Sequence, residues 1–503
     1  MTRGELLRAA AVAGLAASEL AWPVRVRAAT APKVVIIGAG LAGLRCADVL
    51  WHRHGIAPTV YEWDSRVGGR CETLRGYFAG GQNAELHAEF ISSEHAMMRS
   101  LVTRFGLTLS NEDKVDAGDL STYWFNGLRY TQADLNADWR DWGWKLFHHA
   151  GHEAPWPTRS DKHNSATAQA WDAMSVSEWV EAHVPGGLSH PFGKLLIQDV
   201  IDEYGGDPDE QSALNAVYLL AYYDSIASGV QPKGHPMLSG TDEKYHILGG
   251  NDQIISGFMN GLPDGMVQLQ QRLVGIRPRS SGGFRLTLES DAARHDVTAD
   301  HVVLALPFAT LREIDLSHLH LPTTKLLAID TQGMGSNCKV QLQFTHPVWV
   351  SEQYDGTFYA DTGAQSGWQA SPDPVGAPPL LTEYLGAAKG RNLGFTYHLD
   401  GYEGEAPKRL VEDTITRMEP LFTGIRKAWN GRSWFKWSYG DPHIRGGYSY
   451  YKVGQYTGIS GTEGPPVGAL HFAGEHMEPN FQGYMEGAVR SGVRCADEIA
   501  SSL

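Results

Sequence analysis

The sequence has little of several features that mark particular protein classes. Its 503 residues include only 4 cysteines, scattered without a C-x-x-C pair, which favours small buried thiols over a disulfide framework or a metal site. The 42 Lys and Arg residues are outnumbered by 57 Asp and Glu residues, and the net charge of −15 argues against nucleic-acid binding. No window approaches about 18 uncharged apolar residues, so we expect no membrane span.

The composition is otherwise that of a folded protein of several domains. The length predicts about three domain-sized units. The 15 Trp, 20 Tyr and 16 Phe residues require burial, which excludes disorder as the main character of the chain. The 57 glycines exceed the average content without any collagen-like period. This excess indicates backbone packed closely against ligands.

The first 31 residues look like a targeting segment. Arg3 precedes an apolar, Ala-rich run from Ala9 to Leu20, and small residues follow at 28–31. The segment resembles a degenerate twin-arginine export signal in which Gly4 occupies the place of the second arginine. The alternative is an uncleaved amphipathic helix, so localisation stays open between the cytoplasm and export.

A nucleotide-binding unit follows. A β-branched apolar run at 34–37 leads into a G-x-G-x-x-G turn formed by Gly38, Gly40 and Gly43, and a helix is predicted over 41–51. A second strand at 59–62 ends in Glu62. The glycines allow a pyrophosphate to approach the start of the helix, and the acid suits a ribose hydroxyl. Strand, turn, helix and acid occur in the order of a dinucleotide site.

The rest of the chain divides into a helical stretch and a β-rich stretch. Helices and loops are predicted over 92–239. Further strands are predicted at 267–273, 284–288, 301–306, 338–344 and 469–473, and further helices at 407–421 and 484–501. The strand at 338–344 alternates cleanly, with an apolar face and a polar face that includes Lys339. The alternation alone does not distinguish between an exposed strand lysine and a functional lysine at position 339.

Five segments together resemble a known family. They are Gly38–Gly43 with Glu62, Arg66–Arg70, the G-G-x-x-Q turn of 249–253, the strand bearing Lys339, and Gly474–Glu475 with 481–488. In this order and at these spacings the chain resembles the flavin-containing amine oxidase superfamily, in the bacterial branch of monoamine and L-amino-acid oxidases. The resemblance runs almost from end to end.

The resemblance implies an α/β fold. We expect a discontinuous Rossmann-like FAD-binding domain, an inserted substrate-binding domain of mixed sheet and helices, and a helical subdomain. The corresponding divisions are a signal-like segment (1–31), the first FAD-binding part (32–110), a helical or substrate part (111–240), the second FAD-binding part (241–325), a substrate-binding part (326–435) and the third FAD-binding part (436–503).

The resemblance also implies FAD as the cofactor. The expected cofactor residues are Gly38, Gly40, Gly43, Glu62, Arg66, Gly69, Arg70, Val274, Trp437, Gly474, Glu475, Gly483, Tyr484 and Met485. The cysteine that links flavin covalently in some family members would fall at Gly447, so we expect FAD to be bound non-covalently. A second dinucleotide motif is lacking, which favours O₂ as the electron acceptor.

Three residues carry the expected catalysis. Tyr448 and Tyr484 match the two positions of the family's aromatic cage, where two rings would align a substrate nitrogen and exclude water. Lys339 matches the lysine that the family keeps beside flavin N5. The expected substrate-contacting residues are His87, Phe90, Tyr448 and Tyr484.

Two departures from the family pattern bear on activity. His87 and Ala88 replace the paired glycines that usually approach the flavin ring, so either the loop shifts or His87 points into the site. Phe90 occupies the aligned position of an arginine that binds the substrate carboxylate in many L-amino-acid oxidases, and it cannot pair with a carboxylate. Arg445, beside Tyr448, is a candidate replacement.

The function expected from this resemblance is FAD-dependent oxidative deamination of a CH–NH₂ substrate by O₂, with release of ammonia and H₂O₂. A broad-range L-amino-acid oxidase is narrowly preferred, and a primary-amine or polyamine oxidase is the alternative. A flavin-dependent desaturase or dehydrogenase, or a flavoprotein without turnover, is more remote. The expected partners are the small-molecule substrate and O₂, with a homodimer possible and no metal, nucleic acid or membrane span.

Overall fold

A computed structural model gives the fold. It describes residues 32–111, 120–221, 236, 238–291, 293–370 and 373–503. The predicted signal-like segment, 1–31, lies outside the described residues.

The described residues form the following β-strands and α-helices. The strands are β1 (Val34–Ile37), β2 (Thr59–Tyr61), β3 (Thr73–Leu74), β4 (Ala84–Glu85), β5 (Leu120–Phe125), β6 (Leu128–Arg129), β7 (Val267–Gln268), β8 (Arg272–Pro278), β9 (Phe284–Glu289), β10 (Arg294–Ala299), β11 (His301–Leu304), β12 (Gly333–Met334), β13 (Cys338–Phe344), β14 (Tyr354–Ala360), β15 (Gln365–Ala370), β16 (Leu380–Leu385), β17 (Glu403–Glu405), β18 (Trp429–Lys436), β19 (Ser449–Tyr450) and β20 (Leu470–Phe472). The α-helices are α1 (Leu41–His52), α2 (Ala96–Arg104), α3 (Gln132–Asp138), α4 (Trp144–Glu153), α5 (Ala166–Asp172), α6 (Val176–His183), α7 (Pro191–Tyr204), α8 (Ala213–Ala221), α9 (Gln253–Gly261), α10 (Phe308–Leu311), α11 (Thr323–Thr331), α12 (Ala387–Tyr397), α13 (Lys408–Met418), α14 (Ile425–Ala428), α15 (Gln455–Gly458) and α16 (Met485–Ser501).

A five-stranded parallel sheet holds the nucleotide-binding unit. Its order is β20-β11-β1-β2-β7, and every residue of the central strand β1 is buried because both faces of the sheet are covered. Helix α16 packs on α1 so closely that a Cβ on Gly492 would lie 2.4 Å from the carbonyl oxygen of Ala42. The predicted α/β fold, with its Rossmann-like opening unit, is confirmed.

An eight-stranded sheet forms the second large layer. Its order is β17-β18-β13-β16-β15-β14-β5-β6, and only the β14–β5 pair is parallel. All seven residues of β13 are buried, so its polar face turns to the interior and not to solvent. Lys339 is 2% exposed, which rules out a surface strand lysine. Smaller sheets join β8–β10, β3–β4 and β12–β19.

Two local predictions differ from the structure. The strand predicted at 267–273 is broken into β7 and β8, because Gln270 has a φ of 56° that no continuous strand accommodates. The stretch predicted as helix and loop contains the β5–β6 hairpin. Its turn residues, Asn126 and Gly127, have φ values of 57° and 75°, and Asn-Gly is the common signal for such a turn.

The cysteine prediction is confirmed, since Cys46, Cys71, Cys338 and Cys495 are all buried free thiols. Within the described ranges, no helix combines the length and the apolar character that crossing a bilayer requires.

Gly43→Ala tests the packing of the nucleotide-binding unit. A Cβ at this position would lie 1.9 Å from the carbonyl oxygen of Gly38, so we expect a destabilisation of about 3 kcal/mol or more and loss of bound FAD. Denaturant unfolding and flavin absorbance measure both effects. Gly458→Ala is the matched control, because no atom lies within 4 Å of its added Cβ. Equal stability of the two variants would contradict the packing described here.

Candidate active site

One large cavity lies where the parallel sheet meets the eight-stranded sheet. Its volume is about 430 Å³. One wall consists of residues that directly follow the parallel strands, such as Gly38, Glu62 and Gly474, and the opposite wall includes Lys339 of β13 and Trp368 of β15. The cavity therefore sits at the carboxyl ends of the parallel strands, the usual ligand position in such sheets.

The nucleotide end of the cavity is built from glycine backbone. Gly38 has a φ of 101° and Gly43 packs beneath it, while added Cβ atoms on Gly40 and Gly69 would meet no atom closer than 3.9 and 3.6 Å respectively. The two latter positions therefore leave backbone open to a ligand. Helix α1 begins at this point without a side-chain cap, which gives an anion site at its N-terminus.

Glu62 lies beside this turn. Its carboxylate accepts hydrogen bonds from the main-chain N–H groups of Ala39, at 2.7 Å, and Asp64, at 2.8 Å. Burial raises the pKa of Glu62 despite these hydrogen bonds. The side chain is fixed at the end of β2, where a ribose hydroxyl of a bound dinucleotide would need an acceptor.

Two arginines continue the wall from the second glycine motif. Arg66 donates to the carbonyl oxygen of Gly69 at 3.0 Å and to Glu72 at 2.8 Å. Arg70 donates to the carbonyl oxygen of Gly447 at 2.6 Å and to Glu475 at 3.0 Å. Both guanidinium groups are oriented by the protein and line the cavity.

Glu475 joins the carboxy-terminal motif to this wall. Besides Arg70, its carboxylate accepts hydrogen bonds from the hydroxyl of Ser449, at 2.7 Å, and the main-chain N–H of Gly483, at 2.9 Å. Burial acts to raise the pKa of Glu475, but Arg70, His476 and the hydroxyl of Ser449 lower it overall. Helix α16 then starts at Met485 with its N-terminus at the cavity. Its dipole favours negative charge there.

The two predicted cage tyrosines both line the far end of the cavity. The hydroxyl of Tyr448 donates to the main-chain carbonyl of Asp202 at 2.5 Å and lies 3.0 Å from the hydroxyl of Tyr384. The hydroxyl of Tyr484 donates to the carboxylate of Glu203. Both rings are therefore anchored from the same helix end, the carboxyl terminus of α7.

Lys339 reaches the cavity from β13. Its ammonium group contacts the carboxylate of Glu89 at 2.5 Å and donates to the carbonyl oxygen of Glu85 at 3.1 Å. A buried ammonium requires such partners, because an unpaired charge in the interior is costly.

His87 and Phe90 both line the cavity. The Nδ1 atom of His87 lies 3.2 Å from the hydroxyl of Ser438, and its buried Nε2 has no hydrogen-bond partner among the described residues. Burial, reinforced by nearby cations, lowers the pKa of His87 well below its usual value, so the imidazole is neutral. Phe90 packs on Trp368 with the ring centroids 5.6 Å apart. Of the two alternatives for the loop, the structure places His87 at the site.

Three expected cofactor residues lie outside the cavity wall. Gly43 acts through packing beneath Gly38. Val274 lies in β8 of the three-stranded sheet, where its carbonyl accepts from Asp315. Trp437 follows β18 and donates its indole N–H to the carbonyl oxygen of Gly390, a bond that directs the ring to α12. Val274 and Trp437 are not among the residues that line the cavity, and their expected contact with the cofactor stays a prediction.

Several cavity residues escape sequence reasoning. They are Glu89, Asp202, Glu203, Asp242, Glu243, Trp368 and Tyr384. Glu89 lies between Ala88 and Phe90, and nothing in the local sequence distinguishes it from an exposed loop acid. The others belong to segments far apart in the chain, and no local pattern marks them.

The chain is similar to known flavoproteins along most of its length. The family model described as flavin-containing amine oxidoreductase matches residues 41–500. The chain belongs to this family. It is 24% identical to amine oxidase [flavin-containing] B of Cavia porcellus over 494 residues, covering 93% of this chain and 86% of the relative. It is also 24% identical to polyamine oxidase 4 of Oryza sativa subsp. japonica over 480 residues, covering 94% of this chain and 90% of the relative.

Among solved structures, cyclohexylamine oxidase from Brevibacterium oxydans IH-35A shares the fold. The TM-score is 0.77 at 22% sequence identity, with 94% of this chain and 99% of that chain covered.

The cofactor of this family member is FAD, and the cavity fits it. The open glycine backbone at Gly40 and Gly69, the N-termini of α1 and α16, and Glu62 supply what a dinucleotide needs. Gly447 lies on the wall and has no thiol, in agreement with non-covalent binding.

Acid or heat precipitation tests the mode of flavin attachment. Because Gly447 provides no sulfur for a covalent bond, we expect precipitated protein to be colourless and the supernatant to contain intact FAD, measured by absorbance and chromatography. Flavin that stays with the precipitated polypeptide would contradict this expectation.

Lys339→Met tests the predicted role of the lysine. We expect FAD to be retained and reoxidation of the reduced flavin by O₂ to slow by roughly 10²–10³-fold, the typical effect of removing one charged catalytic donor. Stopped-flow absorbance separates this step from reduction by substrate. Wild-type rates in both steps would leave Lys339 a purely structural residue.

Proposed function

We propose that this protein is an FAD-dependent oxidase of amines that carry a second positive charge, such as a diamine or a polyamine. The observation that supports it most strongly is the concentration of carboxyl groups at the cage end of the cavity. Asp202 and Glu203 line the cavity and bind the hydroxyl groups of the two cage tyrosines, and Asp242 and Glu243 line the same cavity. Their chemistry is complementary to an ammonium group beyond the one being oxidised.

All four acids are partly buried, and Glu203 and Glu243 lie close enough to other acids of the group to interact electrostatically. Burial, together with neighbouring acids, raises the pKa of Glu243 to about 8 and the pKa of Glu203 well above its usual value. Burial raises the pKa of Asp202 to about 6. A cation entering the cavity would stabilise the ionised carboxylates, and they in turn would bind it.

A substrate carboxylate has less support. The Lys and Arg side chains among the described cavity residues are Arg66, Arg70 and Lys339, and each is paired with a carboxylate. Arg445 does not replace them, because it pairs with Glu313 at 2.6 Å and does not line the cavity. An L-amino acid would place its carboxylate among carboxyl groups, which is electrostatically unfavourable.

The relatives also favour an amine over an L-amino acid as the substrate. The amine oxidase, the polyamine oxidase and the cyclohexylamine oxidase are all named for amines. The alternative of an amine substrate, which the sequence placed second, is therefore preferred here to an L-amino acid.

The chain's own residues have separate tasks in this reaction. FAD, held at Gly40, Gly69 and Glu62, would supply the two-electron oxidation of the amine to an imine and the transfer of those electrons to O₂ to give H₂O₂; water would hydrolyse the imine. Tyr448 and Tyr484 orient the reacting amine and exclude water. Glu203 holds the Tyr484 ring through its hydroxyl and presents negative charge to the distant ammonium. Phe90 and Trp368 supply an apolar surface for the carbon chain.

Glu203→Gln tests recognition of the second charge. The amide keeps an acceptor for Tyr484 but removes the negative charge. We expect KM for an α,ω-diamine to rise about tenfold or more, because a charged contact contributes at least about 1.4 kcal/mol. KM for an n-alkylamine of the same length should stay nearly unchanged. Peroxide release measures both.

Glu210→Gln is the matched control, since Glu210 is exposed and pairs with Lys452 outside the cavity. It should alter neither KM. An equal rise of KM for diamine and alkylamine in Glu203→Gln would mean that the residue only supports Tyr484, and would overturn the proposed charge recognition.

A further inference from the structure

The ammonium group of Lys339 is held by one loop, the segment 85–89. The Glu89 carboxylate takes one of its three N–H groups and the Glu85 carbonyl takes a second, at 2.5 and 3.1 Å. The Trp368 ring lies below the ammonium, with Nζ 5.3 Å from its centroid. Two of the three donors are thereby fixed in direction, and Lys339 has one N–H left to present to the cavity that it lines.

Glu89 is itself held rigidly. Its second carboxylate oxygen accepts the indole N–H of Trp368 at 3.0 Å. Its main-chain carbonyl accepts from the side-chain amide of Asn251 at 2.6 Å, and the same amide reaches the carbonyl of Ala88 at 3.1 Å. The main chain and the carboxylate of Glu89 are both held by hydrogen bonds. Because Glu89 is already ordered, its ion pair with Lys339 restricts the ammonium group without a further loss of Glu89 rotamer entropy.

The same group of residues extends to the aromatic cage. The Trp368 and Tyr384 rings meet edge to face with centroids 5.1 Å apart. The Tyr384 hydroxyl lies 3.0 Å from that of Tyr448. A continuous set of contacts therefore connects Lys339 with one wall of the cage.

We infer that Glu89 is a positioning residue for the oxygen reaction, which fixes the ammonium of Lys339 so that its remaining N–H faces the flavin side of the cavity. The inference rests on the proposed function as an FAD-dependent oxidase and on the expected position of Lys339 beside the flavin. The ion pair of Lys339 and Glu89 could affect the flavin in two ways, through its net charge and through the position of the ammonium group, and the two can be measured separately.

The affinity of the oxidised flavin for sulfite reports the net charge of the Lys339–Glu89 pair, and it requires no turnover. Sulfite is an anion, and its binding is seen as loss of visible flavin absorbance. Relative to wild type, Glu89→Gln adds one positive charge to the site, Lys339→Met removes one, and the double variant restores the balance. We expect sulfite to bind most tightly to Glu89→Gln, about equally to wild type and the double variant, and most weakly to Lys339→Met.

The rate at which O₂ reoxidises the reduced flavin tests the position of the Lys339 ammonium group. Flavin reduced by light or dithionite is mixed with O₂, so that no amine substrate is involved. Added positive charge alone would speed this reaction in Glu89→Gln. We expect it to slow by about tenfold instead, because the ammonium loses its anchor. In the Lys339→Met background, Glu89→Gln should cause no further slowing.

Glu383→Gln is the matched control. Glu383 is fully buried and pairs with Arg417 at 2.6 Å outside the cavity. This variant should lose thermal stability without changing either readout.

Faster reoxidation in Glu89→Gln, slowing that adds to that of Lys339→Met, or identical sulfite binding by wild type and Glu89→Gln would overturn the inference. Failure of every amine to yield peroxide would instead refute the proposed function, since both measurements above proceed without an amine.

Discussion

The architecture depends on the buried polar face of strand β13. Lys339, Gln341 and Gln343 point into the interior, and each must find partners there. Gln343 exchanges two hydrogen bonds with the main chain of Ala79, Gln341 donates to the carbonyl of Glu85 at 3.2 Å, and Lys339 donates to the same carbonyl. Alternate residues of β13 thus hydrogen-bond the eight-stranded sheet to the segment 79–85, which follows the nucleotide-binding unit.

This fastening places the cavity between the two sheets and gives it two ends of different electrostatic character. The nucleotide end offers main-chain N–H groups, the N-terminus of α1 and the oriented guanidinium group of Arg66, which suits the phosphates of FAD. The cage end offers aromatic rings and carboxyl groups with raised pKa values. Anionic cofactor and cationic substrate are therefore directed to opposite ends of one space.

The sequence predicts those parts of this arrangement that are coded locally. The turn from Gly38 to Gly43, the alternation of β13 and the start of α16 each occupy a few consecutive residues with a defined geometry, and all lie as expected. The acid cluster could not be found in this way, because Glu203 ends one helix while Glu243 belongs to a separate loop. Burial of Lys339 was also undecided, since alternation does not reveal what covers the polar face of a strand.

The central claim, that the cavity recognises an amine bearing a second cation and rejects a carboxylate, is tested most directly by three substrates that differ by one group each. Cadaverine has two amines, pentylamine lacks the second amine, and L-lysine adds a carboxylate to cadaverine. Peroxide release by the wild-type protein gives kcat/KM for all three. We expect the highest kcat/KM for cadaverine, a lower value for pentylamine and the lowest for L-lysine. A higher kcat/KM for L-lysine than for cadaverine would show that the cavity accepts the carboxylate.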